Sequence, residues 1–176
     1  GANARQLTRD GSIALSPSWS PDGSLLAFSS YRDGGSPRLF VVPAAGGRIY
    51  RVSARAGLNT GPAYSPDGRE IACSLSKDGN AEIYVLDAQG GSPRRLTDHR
   101  AIDTSPSWSP TGREIAFTSD RSGAPQVYVM GRGGGNVRRL TYEVGYTDSP
   151  AWSPRGDLIA MVSRTAAGFD IHVCDA

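Results

Sequence analysis

Ser105-Pro-Ser-Trp-Ser-Pro-Thr-Gly-Arg-Glu-Ile-Ala-Phe-Thr-Ser-Asp-Arg121 recurs along the chain in near-copies, and that recurrence decides the fold. Its core, Trp108-Ser109-Pro110, reappears as Trp19-Ser20-Pro21, Tyr64-Ser65-Pro66 and Trp152-Ser153-Pro154, at intervals of 45, 44 and 44 residues. A period in this range marks a solenoid, a propeller or a related repeat array. Within each copy, two short apolar runs flank Pro-Asp/Thr/Arg-Gly. Proline presets φ for a tight turn and glycine tolerates positive φ, so the unit is a hairpin.

Outward from that hairpin, further turn signals such as Asp33-Gly34-Gly35-Ser36-Pro37 and Ala45-Gly46-Gly47 bound two more apolar runs. Each repeat therefore contains four short strands, a to d. In strand c, Phe40, Tyr84, Tyr128 and His172 fall on one face, and Leu39/Val41, Ile83/Val85, Val127/Val129 and Ile171/Val173 on the other. Two apolar faces imply a sheet sandwiched between similar sheets. The expected fold is all-β, a β-propeller of four-stranded antiparallel blades with four repeats per chain. Repeats run at about 9–53, 54–97, 98–141 and 142–176. The fourth lacks a strand d, and residues 1–8, which match Gly90–Thr97, are expected to supply it as one single domain or part-ring.

Composition bounds the function. The 176 residues carry 38% hydrophobic and 20% charged side chains, ordinary for a globular protein. A net charge of +2, with no basic run, gives no reason to expect a nucleic-acid partner. No apolar stretch reaches the length of a transmembrane helix. Cys73 and Cys174 align with apolar core positions and predict neither a disulfide nor a metal site.

The repeat resembles the propeller of the TolB family through Pro-Ser-Trp-Ser-Pro-Asp/Thr-Gly-x-x-Ile/Leu-Ala-Phe-x-Ser, then Asp120-Arg121-Ser122-Gly123-Ala-Pro-Gln-Val-Tyr-Val-Met130, then Arg-Arg-Leu-Thr. The likeness covers nearly the whole chain in four copies. It implies a non-catalytic periplasmic scaffold of the Tol-Pal envelope system, whose partners include the peptidoglycan-associated lipoprotein Pal. TolB propellers have six blades, so four repeats suggest a fragment, a closed four-bladed ring, or a homodimer completing an eight-bladed ring by strand exchange. Similar repeats also occur in gating propellers of prolyl oligopeptidase-like and tricorn-like proteases, which is the alternative, together with a small-ligand-binding propeller.

No catalytic constellation is found. There is no Gly-x-Ser-x-Gly elbow, and Gly131-Arg-Gly-Gly-Gly-Asn136 precedes a strand, whereas a phosphate loop opens a helix. His172 replaces a packing aromatic, and His99 lies in a surface loop. The expected partner-binding residues come from loops at one end of the blades. From the b–c loops these are Arg32, Asp33, Lys77, Asp78, Asp120, Arg121 and Arg164. From the d–a loops, just ahead of strand a, they are Asn59, Asp103 and Asp148. Turn capping and Arg–Asp pairing between blades is the competing explanation of the same charges. No cofactor is expected. Calcium held by Asp carboxylates at the axis is an alternative that no dense Asp-x-Asp spacing supports.

Overall fold

The computed structural model describes residues 3–142 and 145–176. Fifteen strands among them form four antiparallel sheets, the blades of a β-propeller. Blade 1 holds β1 (Ala14–Trp19), β2 (Leu25–Ser30), β3 (Arg38–Pro43) and β4 (Tyr50–Ser53); blade 2 holds β5 (Asn59–Tyr64), β6 (Glu70–Leu75), β7 (Glu82–Asp87) and β8 (Arg94–Arg95). Blade 3 holds β9 (Asp103–Trp108), β10 (Glu114–Ser119), β11 (Gln126–Gly131) and β12 (Arg138–Arg139); blade 4 holds β13 (Thr147–Trp152), β14 (Leu158–Thr165) and β15 (Gly168–Asp175). Strands pair in sequence order within every sheet.

The Trp-Ser-Pro hairpin closes for local reasons. Gly23 N donates to Ser20 O at 2.9 Å, Leu25 N donates to Ser20 Oγ at 2.9 Å, and Ser20 Oγ donates to Asp22 Oδ1 at 2.6 Å. Blade 2 repeats the pattern with Ser65 and Asp67. Such local bonds satisfy the turn backbone without a neighbour's help.

Each first strand carries a bulge at its Pro, where the register slips between Leu15 and Ser18, Thr60 and Ala63, and Asp148 and Ala151. The residue before each proline adopts the left-handed conformation: Ser16, Gly61, Ser105 and Ser149, with φ of 52–59°. These four and their prolines line one opening of about 340 Å³, which marks the propeller axis. A left-handed non-glycine residue is uncommon, and its recurrence marks a conformation that the bulge imposes.

Packing runs from blade to blade. Leu39, Val41 and Val52 of blade 1 meet Tyr64, Ile71, Cys73 and Tyr84 of blade 2. Ile83, Val85 and Leu96 of blade 2 meet Trp108, Ile115, Phe117 and Tyr128 of blade 3. Val127, Val129 and Leu140 of blade 3 meet Trp152, Ile159, Met161 and Cys174 of blade 4. The two faces of strand c thus serve different neighbours, as the alternation predicts.

Residues 4–8 differ from expectation. Residues 1 and 2 of the expected strand lie outside the described residues; among the described residues blade 4 is three-stranded, with no strand hydrogen-bonded beyond β15, and Leu7 packs instead on Phe28, Phe40 and Val42 of blade 1. Leu7 therefore holds toward blade 1 the position that Val52, Leu96 and Leu140 hold toward blades 2, 3 and 4. First strands join blade 1 to 2, 2 to 3 and 3 to 4, and β1 makes no comparable contact with β13 among the described residues. Two apolar faces consequently stay open: Leu15 and Trp19 on blade 1, Ile171 and Val173 on blade 4. Trp19 is 59% exposed, whereas Trp108, covered by blade 2, is 7% exposed and donates its Nε1 to Ala63 O at 3.1 Å.

Candidate functional site

Register fixes which loops share an end. Asp103 lies opposite Ser119, and Ser119 opposite Gln126, so the d–a and b–c loops of a blade emerge together. The equivalents of Asp103 are Asn59, Thr147 and Ala14, set opposite Leu75, Ser163 and Ser30. Asp148 therefore does not share the offset of Asn59 and Asp103; it sits one residue further on. Nor do Asn59 and Asp103 precede strand a. They open it, and both are wholly buried.

These buried residues clasp neighbouring blades. Ser53 Oγ of blade 1 donates to Asn59 Oδ1 at 2.7 Å, while Asn59 Nδ2 donates to Arg55 O at 2.9 Å. At the blade 3–4 junction, Thr141 Oγ1 donates to Gln126 Oε1 at 2.7 Å and lies 2.8 Å from Thr147 Oγ1. A hydroxyl has one proton, so Thr147 must be the donor in the second contact. Burial raises the Asp103 carboxyl above the usual range, opposed by bonds from Ser119, Arg121 and Thr97.

The basic residues of the b–c loops are stacked. Arg32 lies over Phe28 and Phe40 at 5.4 and 4.9 Å, Lys77 over Tyr84 at 5.1 Å, and Arg121 over Phe117 and Tyr128 at 5.3 and 5.0 Å. Each also meets a carboxylate: Arg32 with Asp10 at 2.7 Å, Lys77 with Asp78 at 2.5 Å, and Arg121 with Asp103 at 2.7 Å. A cation over a ring and beside an anion is a packing element with a charge. Lys77 and then the Tyr84 hydroxyl hold the Asp78 carboxyl below its ordinary range. Asp33 pairs with Arg51 at 2.9 Å, and Arg164 lies over Phe169 at 6.0 Å.

Two predicted residues remain, and the fold brings them together. Asp120 and Asp148 line one cleft of about 190 Å³ between blades 3 and 4, with Ile102, Thr104, Thr118, Pro125 and Tyr146. Asp120 Oδ1 accepts from Ile102 N at 2.8 Å, and Asp148 Oδ1 accepts from Thr118 Oγ1 at 2.8 Å. Tyr146 OH donates to Asp148 Oδ2 at 3.3 Å; desolvation, then the Asp148 charge, raise the Tyr146 phenol. Among the described residues neither carboxylate has an ion-pair partner. Ile102, which no sequence signal singles out, adds a half-exposed apolar wall. No three His, Cys, Asp or Glu side chains converge among the described residues. The cleft can recognise a cationic, partly apolar group.

A radial array of three- and four-stranded antiparallel blades with polar loops gathered at one end defines a β-propeller repeat protein. The model of the TolB beta propeller domain matches residues 1–176, and the chain belongs to that family. It is 37% identical over 79 residues to the Tol-Pal system protein TolB of Alcanivorax borkumensis, covering 45% of this chain and 18% of that protein. It is 46% identical over 61 residues to the TolB of Francisella tularensis subsp. mediasiatica, covering 35% and 14%. These alignments span less than a fifth of the curated relatives. The crystal structure of TolB from Acinetobacter baumannii superposes with a TM-score of 0.85 at 33% identity, over 93% of this chain and 41% of that one. A putative TolB from Agrobacterium tumefaciens gives 0.86 at 28%, over 93% and 62%. A puromycin hydrolase, at 14% identity and a TM-score of 0.78, shares the fold.

Proposed function

We propose that this chain is a non-enzymatic propeller module of a Tol-Pal-type envelope system, working outside the cytoplasm and binding a protein or peptide, such as a Pal-like lipoprotein, on its loop face. The reading rests on membership of the TolB propeller family together with one observation, the cleft holding Asp120 and Asp148, neither of which has an ion-pair partner among the described residues. Charge left uncompensated on a concave, partly apolar surface favours a partner of opposite sign. Arg32, Asp33, Lys77, Asp78, Asp103 and Arg121 are engaged in ion pairs within the chain and act as scaffold. Capture of envelope proteins by immobilised chain, compared with its Asp120→Asn/Asp148→Asn variant, tests the reading. Loss of capture at unchanged thermal stability is expected; undiminished capture overturns it.

The open faces of blades 1 and 4 favour a second reading, self-association. Among the described residues β15 presents an unpaired edge beside Ile171 and Val173, and residues 4–8 carry the sequence of a d strand without pairing to a c strand. One copy's residues 4–8 on another copy's β15 would satisfy both.

A further inference from the structure

Blade 4 departs from its sisters at three positions that face the same way. At the position of Phe28, Cys73 and Phe117 it has Met161. At the position of Phe40, Tyr84 and Tyr128 it has His172, and at that of Val42, Leu86 and Met130 it has Cys174. Met161 is paired directly with His172, and Cys174 follows two residues along the same strand. A thioether, an imidazole and a thiol thus stand on one face of two adjacent strands, at cross-strand neighbour spacing. All three line one cavity of about 320 Å³, together with Leu140, Thr141 and Ser163.

Blade 4 also lacks the cation that stacks over this face in its sister blades. Counting from Ser30, Leu75, Ser119 and Ser163, the second residue on is Arg32, Lys77, Arg121 and Thr165. Thr165 Oγ1 turns instead to Asp170 Oδ2 at 2.9 Å. Ser119 Oγ accepts from Arg121 Nε at 2.9 Å, whereas its counterpart Ser163, wholly buried, keeps an Oγ without a partner. Buried polar groups are ordinarily hydrogen-bonded, so this hydroxyl leaves room beside it for a bound species or an ordered water.

We propose that this cavity is a soft-metal site that takes monovalent copper through Met161 Sδ, the His172 imidazole and Cys174 Sγ. Thiolate and thioether sulfur select Cu(I), and imidazole suits copper equally. Calcium and magnesium demand oxygen ligands, and structural zinc demands four N, S or carboxylate ligands. Among the described residues no trio of His, Cys, Asp or Glu converges, so a three-donor set in this cavity includes the thioether, a soft ligand. Both cysteines are free, and Cys73 is wholly buried, so Cys174 is the reachable thiol. Desolvation and the neighbouring Asp175 keep that thiol protonated above its ordinary range. The Cys174 thiol releases its proton to solvent as the Cu–S bond forms.

Anaerobic titration of the full chain with Cu(I), against a chromophoric Cu(I) chelator, tests the proposal. The expected result is a single Cu(I) per chain with a sulfur-to-copper charge-transfer band. Cys174→Val abolishes the band, and His172→Tyr and Met161→Phe each weaken binding at least as much as the roughly 10–100-fold typical of losing an outer-shell partner. Each replacement restores a residue type that a sister blade already accommodates, so thermal unfolding should show the fold retained. Absence of Cu(I) binding by the parent chain, or equal binding by Cys174→Val, overturns the proposal. So does tighter binding of Zn(II) than of Cu(I).

Discussion

Arg121 places a guanidinium nitrogen 2.7 Å from Asp103 Oδ2 while its Cζ lies 5.0 Å from the Tyr128 ring centroid, and the carboxylate it meets is wholly buried. Removing one partner of a buried pair leaves the other charge desolvated and alone. Arg121→Ala is expected to cost about 3 kcal/mol, read as a lowered urea midpoint. Arg121→Lys should recover part of the loss, since blade 2 uses Lys77 in the same role. In the background Asp103→Asn, Arg121→Ala should cost much less, because no buried charge is then stranded.

Acid should weaken the hairpin turns. Bonds from Ser20 and Ser24 hold the Asp22 carboxyl down to about 2, and bonds from Ser65 and Arg69 hold Asp67 to about 2, both from 3.8. A depressed folded pKa gives stability that is present above the unfolded value and lost as pH falls through the folded value. The window is therefore about pH 4 to 2. Asp103 has the opposite sign: its raised folded pKa favours the fold below the unfolded value, and that share is lost as pH rises. The Asp22→Asn/Asp67→Asn variant should show a flatter melting temperature between pH 4 and 2.

Gly134, with φ of 91°, sits where an added Cβ would collide with the Leu96 carbonyl of the preceding blade. Gly90 repeats the arrangement against Val52 O, at 3.3 Å. Gly134→Ala combines a left-handed backbone with a clash against main chain, which side-chain rotation does not relieve. A loss of roughly 2–3 kcal/mol is expected by chemical denaturation. Gly133→Ala, with nothing near its Cβ, is the control and should be close to neutral.

Self-association predicts a concentration-dependent mass above the 18.6 kDa of one chain. Sedimentation should show Ile171→Glu and Leu15→Glu each shifting the distribution to the monomer, because either face serves one side of a head-to-tail contact. A parent chain that stays monomeric at high concentration would falsify the second reading.

The blades were legible because their signals are local. Pro110-Thr111-Gly112 turns the chain wherever it is placed, and the alternation of strand c assigns its two faces without knowledge of the neighbours. The candidate site was legible only in part, because its deciding facts lie between blades. Asn59 and Asp103 read as loop polars, yet Ser53 and Thr97 arrive from the preceding blade to bury them. Residues 4–8 were recognisable as a d strand, but sequence similarity does not say which β-edge it meets. Asp120 and Asp148 have no near-neighbour relation in sequence, and only the approach of blades 3 and 4 brings them into one cleft.

Each d segment delivers its aliphatic side chain, Leu7, Val52, Leu96 or Leu140, into the core of the blade that follows. The cooperative unit is therefore out of phase with the sheet: hydrogen bonds tie a d strand to one blade, and dispersion ties it to the next. In a one-dimensional repeat array this offset moves stability from the individual repeat into the coupling between neighbours. A helper segment such as residues 4–8 then raises the local melting of blade 1 without belonging to its sheet, and hydrogen exchange would show protection graded along the ring and not stepped at the sheet boundaries.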